Sequence, residues 1–277
     1  MVRGGLYDQH VHSWNSVDSK ADPRAIVDRA LAVGLAGLTF TEHYDRRAEE
    51  WPICVYDYER IAETVAGLRE AVGSRLFVGL GIEVCYQPDQ MDEILEHLDG
   101  HAFDAVMLSV HWFNDRALHE HAHWTGLDTV TATQRYLQTV LEAVRFVRDL
   151  AAGGRRPFHL LGHLDLVKRY TQRYFSRYEV RQYRDLVEEI LRTCVEADLI
   201  PELNTSTLLQ SLPEPMPAAW AVEMYARLGG RAMSLGSDAH QVDHVGAGLA
   251  QGAELLKAAG VPCQAVFMAC QRHELPL

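Results

Sequence analysis

The chain has 277 residues, 48% of them hydrophobic, enough for one large core. Its 26 Lys and Arg against 38 Asp and Glu leave a formal charge of −12, which repels a nucleic-acid backbone and excludes a long polyanion as partner while leaving small anions open. The five cysteines (Cys54, Cys85, Cys194, Cys263 and Cys270) are odd in number, widely spaced and lack a Cys-x-x-Cys pair, so buried thiols in a reducing compartment are expected.

Leu6 to His12 reads as the first strand. Alternate side chains on a strand share a face, so His10 and His12 point the same way and can chelate one cation. Ser13 to Asp18 is polar, and Ala21-Asp22-Pro23 then opens a helix to about Val33, with Asp22 as cap, Pro23 in the first turn and Gly34 as the stop. Leu35 to Thr41 is a second buried strand that runs into Glu42-His43. A helix over Asp57 to Val72 precedes Leu76 to Ile82, the third strand, which ends at Glu83. Pro88 to Leu98 is a short helix, Phe103 to Val110 the fourth strand with His111 at its end, and Val130 to Leu150 a longer helix broken by Gly153-Gly154. Phe158 to Leu161 is the fifth strand, before Gly162-His163-Leu164-Asp165. Tyr178 to Ala197 is helical, Leu199 to Leu203 is strand six with Glu202 and Asn204 at its end, and Pro217 to Leu228 is a helix. Strand seven, Arg231 to Leu235, delivers Gly236-Ser237-Asp238-Ala239-His240; the helix Ala247 to Ala259 and a short tail complete the chain.

Strands alternating with helices imply right-handed crossovers and a parallel sheet, and about seven such units in one domain over residues 1–277 imply a closed or nearly closed α/β barrel. The carboxyl ends of barrel strands open on one face, so His10, His12, His43, Glu83, His111, His163, Asp238 and His240, far apart in sequence, should meet there. Imidazoles and carboxylates suit divalent zinc, manganese or iron alike, and so many exceed what one ion can use. A cluster of two or three ions follows, with the two oxygens of Glu83 as the bridge. Two cations sharing a water lower its pKa from 15.7 to about 7, and ions on phosphate oxygens spread the charge of the transition state.

The segments His10-Val11-His12, Thr41-Glu42-His43, Gly81-Ile82-Glu83, Ser109-Val110-His111, Gly162-His163-Leu164-Asp165, Glu202-Leu203-Asn204-Thr205 and Ser237-Asp238-Ala239-His240 occur in the order and spacing of the polymerase-and-histidinol-phosphatase (PHP) family. Over nearly its whole length the chain resembles that family, and most of all its histidinol-phosphatase branch. The resemblance implies a distorted TIM-like (β/α)7 barrel with three divalent metals (zinc, manganese or iron). By the same resemblance His10, His12, Glu83 and Asp238 hold one metal, Glu83, His111 and His163 a second, and Asp18, His43 and His240 a third. It also implies a phosphomonoesterase, with L-histidinol phosphate as best substrate and Glu83, Asp238 and His240 as catalytic residues; Asp238 or His240 would relay a proton to the leaving alkoxide. Relatives of that branch often carry a substrate-contacting Arg after the Asn-Thr-Ser element, where this chain has Asn204-Thr205-Ser206-Thr207-Leu208-Leu209. A bidentate Arg is not replaced by Leu209 without a compensating cation. Lys168 and Arg169, after the fifth strand, are the candidates for a phosphate.

Other features have plainer expectations. Asn204 and Ser109 are expected to orient ligands rather than to be ligands. The Trp112 to Gly126 loop, with His119-Glu120-His121-Ala122-His123, lies on the metal face as a possible lid; His97, His101, His159, His244 and His273 are expected to be solvated or satisfied polar groups. Arg3 and Asp8 interrupt any signal-peptide apolar region and no apolar run reaches the ~20 residues of a membrane span, so a cytoplasmic protein acting on a small phosphate ester, without nucleic acid or membrane, is expected. Oligomeric state leaves no trace in the sequence. The rival readings are a PHP phosphoesterase acting on another phosphorylated metabolite or nucleotide, a binuclear amidohydrolase, which usually has eight strands and its bridge after the fourth, and a non-catalytic metal-binding domain.

Overall fold

Apolar and β-branched runs form the strands, and capped amphipathic stretches the helices, of the computed structural model, which describes residues 3–47, 54–210 and 212–277. The strands are β1 (Tyr7–Val11), β2 (Gly37–Tyr44), β3 (Phe77–Cys85), β4 (Ala105–Ser109), β5 (Trp112–Phe113), β6 (Arg116–Ala117), β7 (Leu160–Leu161), β8 (Ile200–Asn204), β9 (Ala232–Gly236), β10 (Cys263–Met268) and β11 (Gln271–Pro276). The helices are α1 (Pro23–Ala32), α2 (Tyr58–Val72), α3 (Met91–Asp99), α4 (Thr129–Ala152), α5 (Val167–Phe175), α6 (Arg184–Ala197), α7 (Ala219–Arg227) and α8 (Leu249–Ala258). As expected, the Asp22 carboxylate caps α1, accepting from the Arg24 N–H at 2.7 Å, and Gly34 ends that turn with a positive φ of 77°.

In the main sheet β1, β2, β3, β4, β7, β8 and β9 lie side by side in that order, all parallel. Every residue of β1, β4, β8 and β9 is buried, as befits strands covered on both faces. Beyond β9 the chain turns onto the end of β1: the Asp238 N–H donates to the His10 carbonyl at 2.8 Å and the His12 N–H to the Ala239 carbonyl at 2.9 Å. The architecture is the distorted TIM-like (β/α)7 barrel, with its first and seventh strands meeting at their carboxyl ends.

The other end of that junction holds an element that looks like no more than a tail in the sequence. β10 pairs with the start of β9, and β11 folds back on it as a hairpin. The Gln264 side-chain amide takes the place of a neighbouring strand for Tyr7, accepting from its N–H at 3.2 Å and donating to its carbonyl at 2.5 Å. Phe267 packs with Met107 and with Ala105, Leu160, Ile200 and Ala232, the first residues of four strands, and so plugs the amino-terminal end of the barrel.

His159 lines that plug as a satisfied polar group. Its Nδ1 accepts from the Val106 N–H at 3.0 Å and its ring lies 5.0 Å from that of Phe267. Burial pushes its pKa down to about 4, because a proton on Nδ1 would be desolvated and would displace the Val106 bond. A base whose folded pKa lies below its unfolded value contributes stability above about pH 6.5, and that contribution is lost as pH falls toward 4. The wild-type protein should therefore lose up to about 3 kcal/mol across that window relative to His159→Asn, whose side-chain oxygen keeps the acceptor. Parallel denaturant titrations at pH 7 and pH 4 check this; equal losses in both proteins would contradict it.

Several boundaries differ from expectation. β2 and β3 run on to Tyr44 and Cys85, so His43 and Glu83 sit inside paired strands, directly opposite one another in register. β7 is reduced to Leu160–Leu161, and α3 begins at Met91. α5 was not anticipated, and the helix expected from Tyr178 starts in earnest at Arg184 after a 3-10 turn over Val180–Tyr183. Cys54, Cys85 and Cys194 are buried, but Cys263 is half-buried and Cys270 exposed. No helix among the described residues is long and apolar enough to cross a membrane.

Candidate metal centre and its cavity

At the carboxyl-end mouth of the barrel Glu83, 1% exposed, stands among five imidazoles. Its Oε2 lies 2.9 Å from His43 Nδ1, 3.4 Å from His10 Nε2 and 3.5 Å from His12 Nε2; its Oε1 lies 2.9 Å from His163 Nε2 and 3.3 Å from His111 Nε2. Each oxygen thus faces a different set of rings. Asp238, held at a left-handed φ of 51° between the two backbone bonds to β1, presents Oδ1 at 3.7 Å from His10 Nε2, 3.6 Å from His12 Nε2 and 3.5 Å from His240 Nδ1. Asp18 reaches in from its loop, with Oδ2 at 3.1 Å from His240 Nε2 and 3.5 Å from His43 Nε2. The eight residues expected at the strand ends are brought together with Asp18 from its loop, and four overlapping triplets of the eight place ligand atoms within 4.8 Å of one another.

The donor chemistry fits divalent ions. His10 Nδ1 is 2.7 Å from Glu202 Oε1 and His12 Nδ1 is 3.0 Å from Ser16 Oγ, so both rings are set to turn an Nε2 lone pair inward, where the two atoms lie 3.0 Å apart. Two lone pairs at that distance need a proton or a cation between them. Glu83 Oε2 is likewise buried with no hydrogen-bond donor. Burial alone would push the Glu83 pKa up, but the charges of His10, His111 and His43 hold it well below the usual carboxylate range. Burial lowers His10, while Glu202, Glu83 and Asp238 outweigh it and raise the ring well above its ordinary value; His12 is driven well below by burial and by the neighbouring rings. The carboxylates therefore stay ionised and hold protons on some of the rings, the arrangement that metal binding displaces.

Asp18, His43, His111, His163, Asp238 and His240 line a cavity of about 560 Å³, whose lining also includes Asp45, Trp112, Leu118, Glu120, Arg169 and Tyr170. Arg169 points into it, donating to Asp238 Oδ2 at 3.0 Å and to the Ser206 hydroxyl. The cation missing from the stretch after Asn204 is thus supplied to Ser206 from α5. Lys168 does not join it. Its Nζ is fully buried on the other side of α5, bonded to Asp165 at 2.8 Å, Glu214 at 3.2 Å and the Pro215 carbonyl at 2.6 Å, so the expected phosphate contact at Lys168 is not available. Asn204 donates to Asp238 Oδ2 at 3.3 Å as an orienting group, whereas Ser109 Oγ is buried with no hydrogen-bond partner among the described residues.

A model of the PHP domain family matches residues 8–206, more than half of the chain and the stretch that carries seven of these nine residues. The chain belongs to the PHP domain family. Among curated proteins, this PHP chain is 29% identical over 244 residues to a protein of Thermotoga maritima named "Probable histidinol-phosphatase", covering 88% of each. It is 26% identical over 264 residues to the "Histidinol-phosphatase" of Lactococcus lactis, covering 94% of this chain and 93% of the relative. Among solved structures, the PHP fold here matches the histidinol phosphate phosphatase of Lactococcus lactis complexed with zinc, L-histidinol and phosphate, with a TM-score of 0.85 at 24% identity over 98% of this chain and 100% of that one.

The outer supports of the PHP centre were only partly visible in the sequence. Glu202, fully buried on β8, holds His10 with one oxygen while the other accepts the His163 N–H at 2.8 Å and Asn204 Nδ2 at 3.3 Å. Glu42 accepts both the N–H and the hydroxyl of Ser13 and the hydroxyl of Ser16, through which it steadies His12. The sequence marks Glu202 only as a strand-end residue, and nothing in its spacing assigns it to His10.

Proposed function

We propose that this PHP protein is a metal-dependent phosphomonoesterase of histidine biosynthesis, hydrolysing L-histidinol phosphate to L-histidinol and phosphate. The observation that carries the reading is buried Glu83 turning its two oxygens to two separate sets of imidazoles, among them His43, His111 and His163, which line a cavity that also holds an arginine. The names of the curated relatives point to the same substrate. In this reading His10, His12, Glu83 and Asp238 hold one ion, Glu83, His111 and His163 a second, and Asp18, His43 and His240 a third, all within the single domain of residues 1–277. With zinc, manganese or iron held in these places, the site would gain a water acidified from 15.7 toward about 7 and positive charge for the phosphoryl oxygens.

The chain does the rest. Arg169 offers guanidinium hydrogens to the phosphate beside Ser206. Two donors, Arg169 and Asn204, occupy Asp238 Oδ2 while the Ser206 hydroxyl donates to Asn204 Oδ1 at 2.5 Å, and so Asp238 Oδ1 is left toward His10, His12 and His240. Asp238 or His240, adjacent at 3.5 Å, returns the proton to the leaving alkoxide. A net charge of −12 and the absence of a membrane-crossing helix among the described residues favour a cytoplasmic enzyme for a small ester over one for nucleic acid or a membrane.

Phosphate release from L-histidinol phosphate with added manganese or zinc, set against a panel of other phosphate esters and nucleotides, tests the substrate. Chelation should abolish turnover, readdition should restore it, and elemental analysis should find about three ions per chain. Preferential release from another ester would replace histidinol phosphate; no release from any ester, with one tightly held ion, would leave a structural metal domain.

A further inference from the structure

The cavity has two electrically different walls. On one, Arg169 stands by Asp238 and Ser206. On the other is Asp45, the first residue beyond β2 and only 5% exposed. One of its oxygens accepts from the Arg47 N–H at 2.9 Å and from the Gln87 side-chain amide. The arginines that follow it pair elsewhere, Arg46 with Glu93, and Arg47 with Asp115 while lying 5.4 Å over the Trp112 ring. Among the described residues no ion pair reaches Asp45, although a buried carboxylate without a countercharge is costly.

We propose that Asp45 receives the ammonium of the substrate's alcohol portion and so selects phosphate esters of amino alcohols. The inference rests on the phosphomonoesterase reading and adds to it the residue that recognises the leaving group. Residues 43 and 45 fall on the same side of an extended chain, about 6–7 Å apart. His43 faces the centre, and the ammonium of a 2-amino alcohol ester lies two carbons from the ester oxygen, so the spacing suits phosphate at the centre and ammonium at Asp45. Glu120 also lines the cavity, but its side chain is 57% exposed and screened by water, so it attracts cations without fixing one. The remaining walls, Trp112, Leu118 and Tyr170, present apolar and aromatic surface to the rest of the alcohol.

Calorimetric titration of the metal-loaded protein with L-histidinol and with its deamino analogue, 3-(imidazol-4-yl)propan-1-ol, tests this without relying on turnover. In the wild type the amino group should tighten binding about tenfold or more, as a charge-assisted bond does. In Asp45→Asn, which keeps an acceptor for Arg47 and Gln87, the ratio of the two dissociation constants should fall to about twofold or less, with Asp45→Glu in between. Equal binding of both ligands to the wild type, or an amino-group advantage that survives in Asp45→Asn and Asp45→Glu, overturns the proposal. An amino-group advantage in a protein that releases no phosphate from L-histidinol phosphate would instead sink the activity and leave the recognition site standing.

Discussion

Gly236→Ala is expected to weaken the hold of the centre on its ions about 10–100-fold and to lower the unfolding free energy by about 1–3 kcal/mol. A Cβ at Gly236 would lie 2.0 Å from Glu202 Oε1 and 2.5 Å from His10 Cβ. Neither neighbour can step aside cheaply. His10 Cβ is the stem of a ring on a fully buried strand, and Glu202 already holds His10 Nδ1 and the His163 N–H. Overpacking costs typically 1–3 kcal/mol, and displacing Glu202 adds the 10–100-fold loss in metal affinity that follows removal of such a partner. Elemental analysis and thermal unfolding of the variant check this; a fully loaded, equally stable variant would mean that β8 and β9 do not pair with Glu202 behind Gly236.

Glu83→Gln should cost more turnover than the loss of any supporting residue, beyond the about 10–100-fold that such partners contribute, and should remove more than one ion. The amide keeps the shape but has only one acceptor oxygen, while the two sets of rings need one each. The same change has a metal-free signature. Because Glu83 is held ionised far below its unfolded value, it contributes stability above about pH 4.5 that is lost as pH falls, and the variant should lack that acid-side loss. Loss of a single ion with retained turnover would exclude a bridging role for Glu83.

How far the fold could be read in advance depended on whether a local signal existed. The seven parallel strands announced themselves because each is an apolar run closed by a His, Glu or Asp, and α1 because Asp22 and Gly34 bracket it. The β10–β11 hairpin gave no such sign: its turn residues Ala269 and Cys270 both adopt positive φ, of 49° and 59°, where glycine or asparagine would be the usual marker. α5 was missed for a similar reason, and with it the difference between Lys168 and Arg169. Consecutive helical residues point about 100° apart, so once α5 exists only one of the pair can face the cavity. Glu202 and Glu42 could not be assigned at all, since their roles depend on which strand lies alongside, as with His43 opposite Glu83.

The junction of the first and seventh strands has a consequence for how the protein lives in the cell. The two backbone bonds there flank Asp238, so the residues that close the ring are the residues proposed to grip the ions. Closure and loading are then linked: besides the metal-independent bonds from Asp8 to Ser237 and Gly246, ions that bind only the joined form stabilise it by about 2.7 kcal/mol at a hundredfold excess over their dissociation constant. Starved of metal, the polypeptide would open first along this seam, exposing the inner ends of β1 and β9 to proteases, so its abundance as well as its turnover would follow the supply of divalent cations.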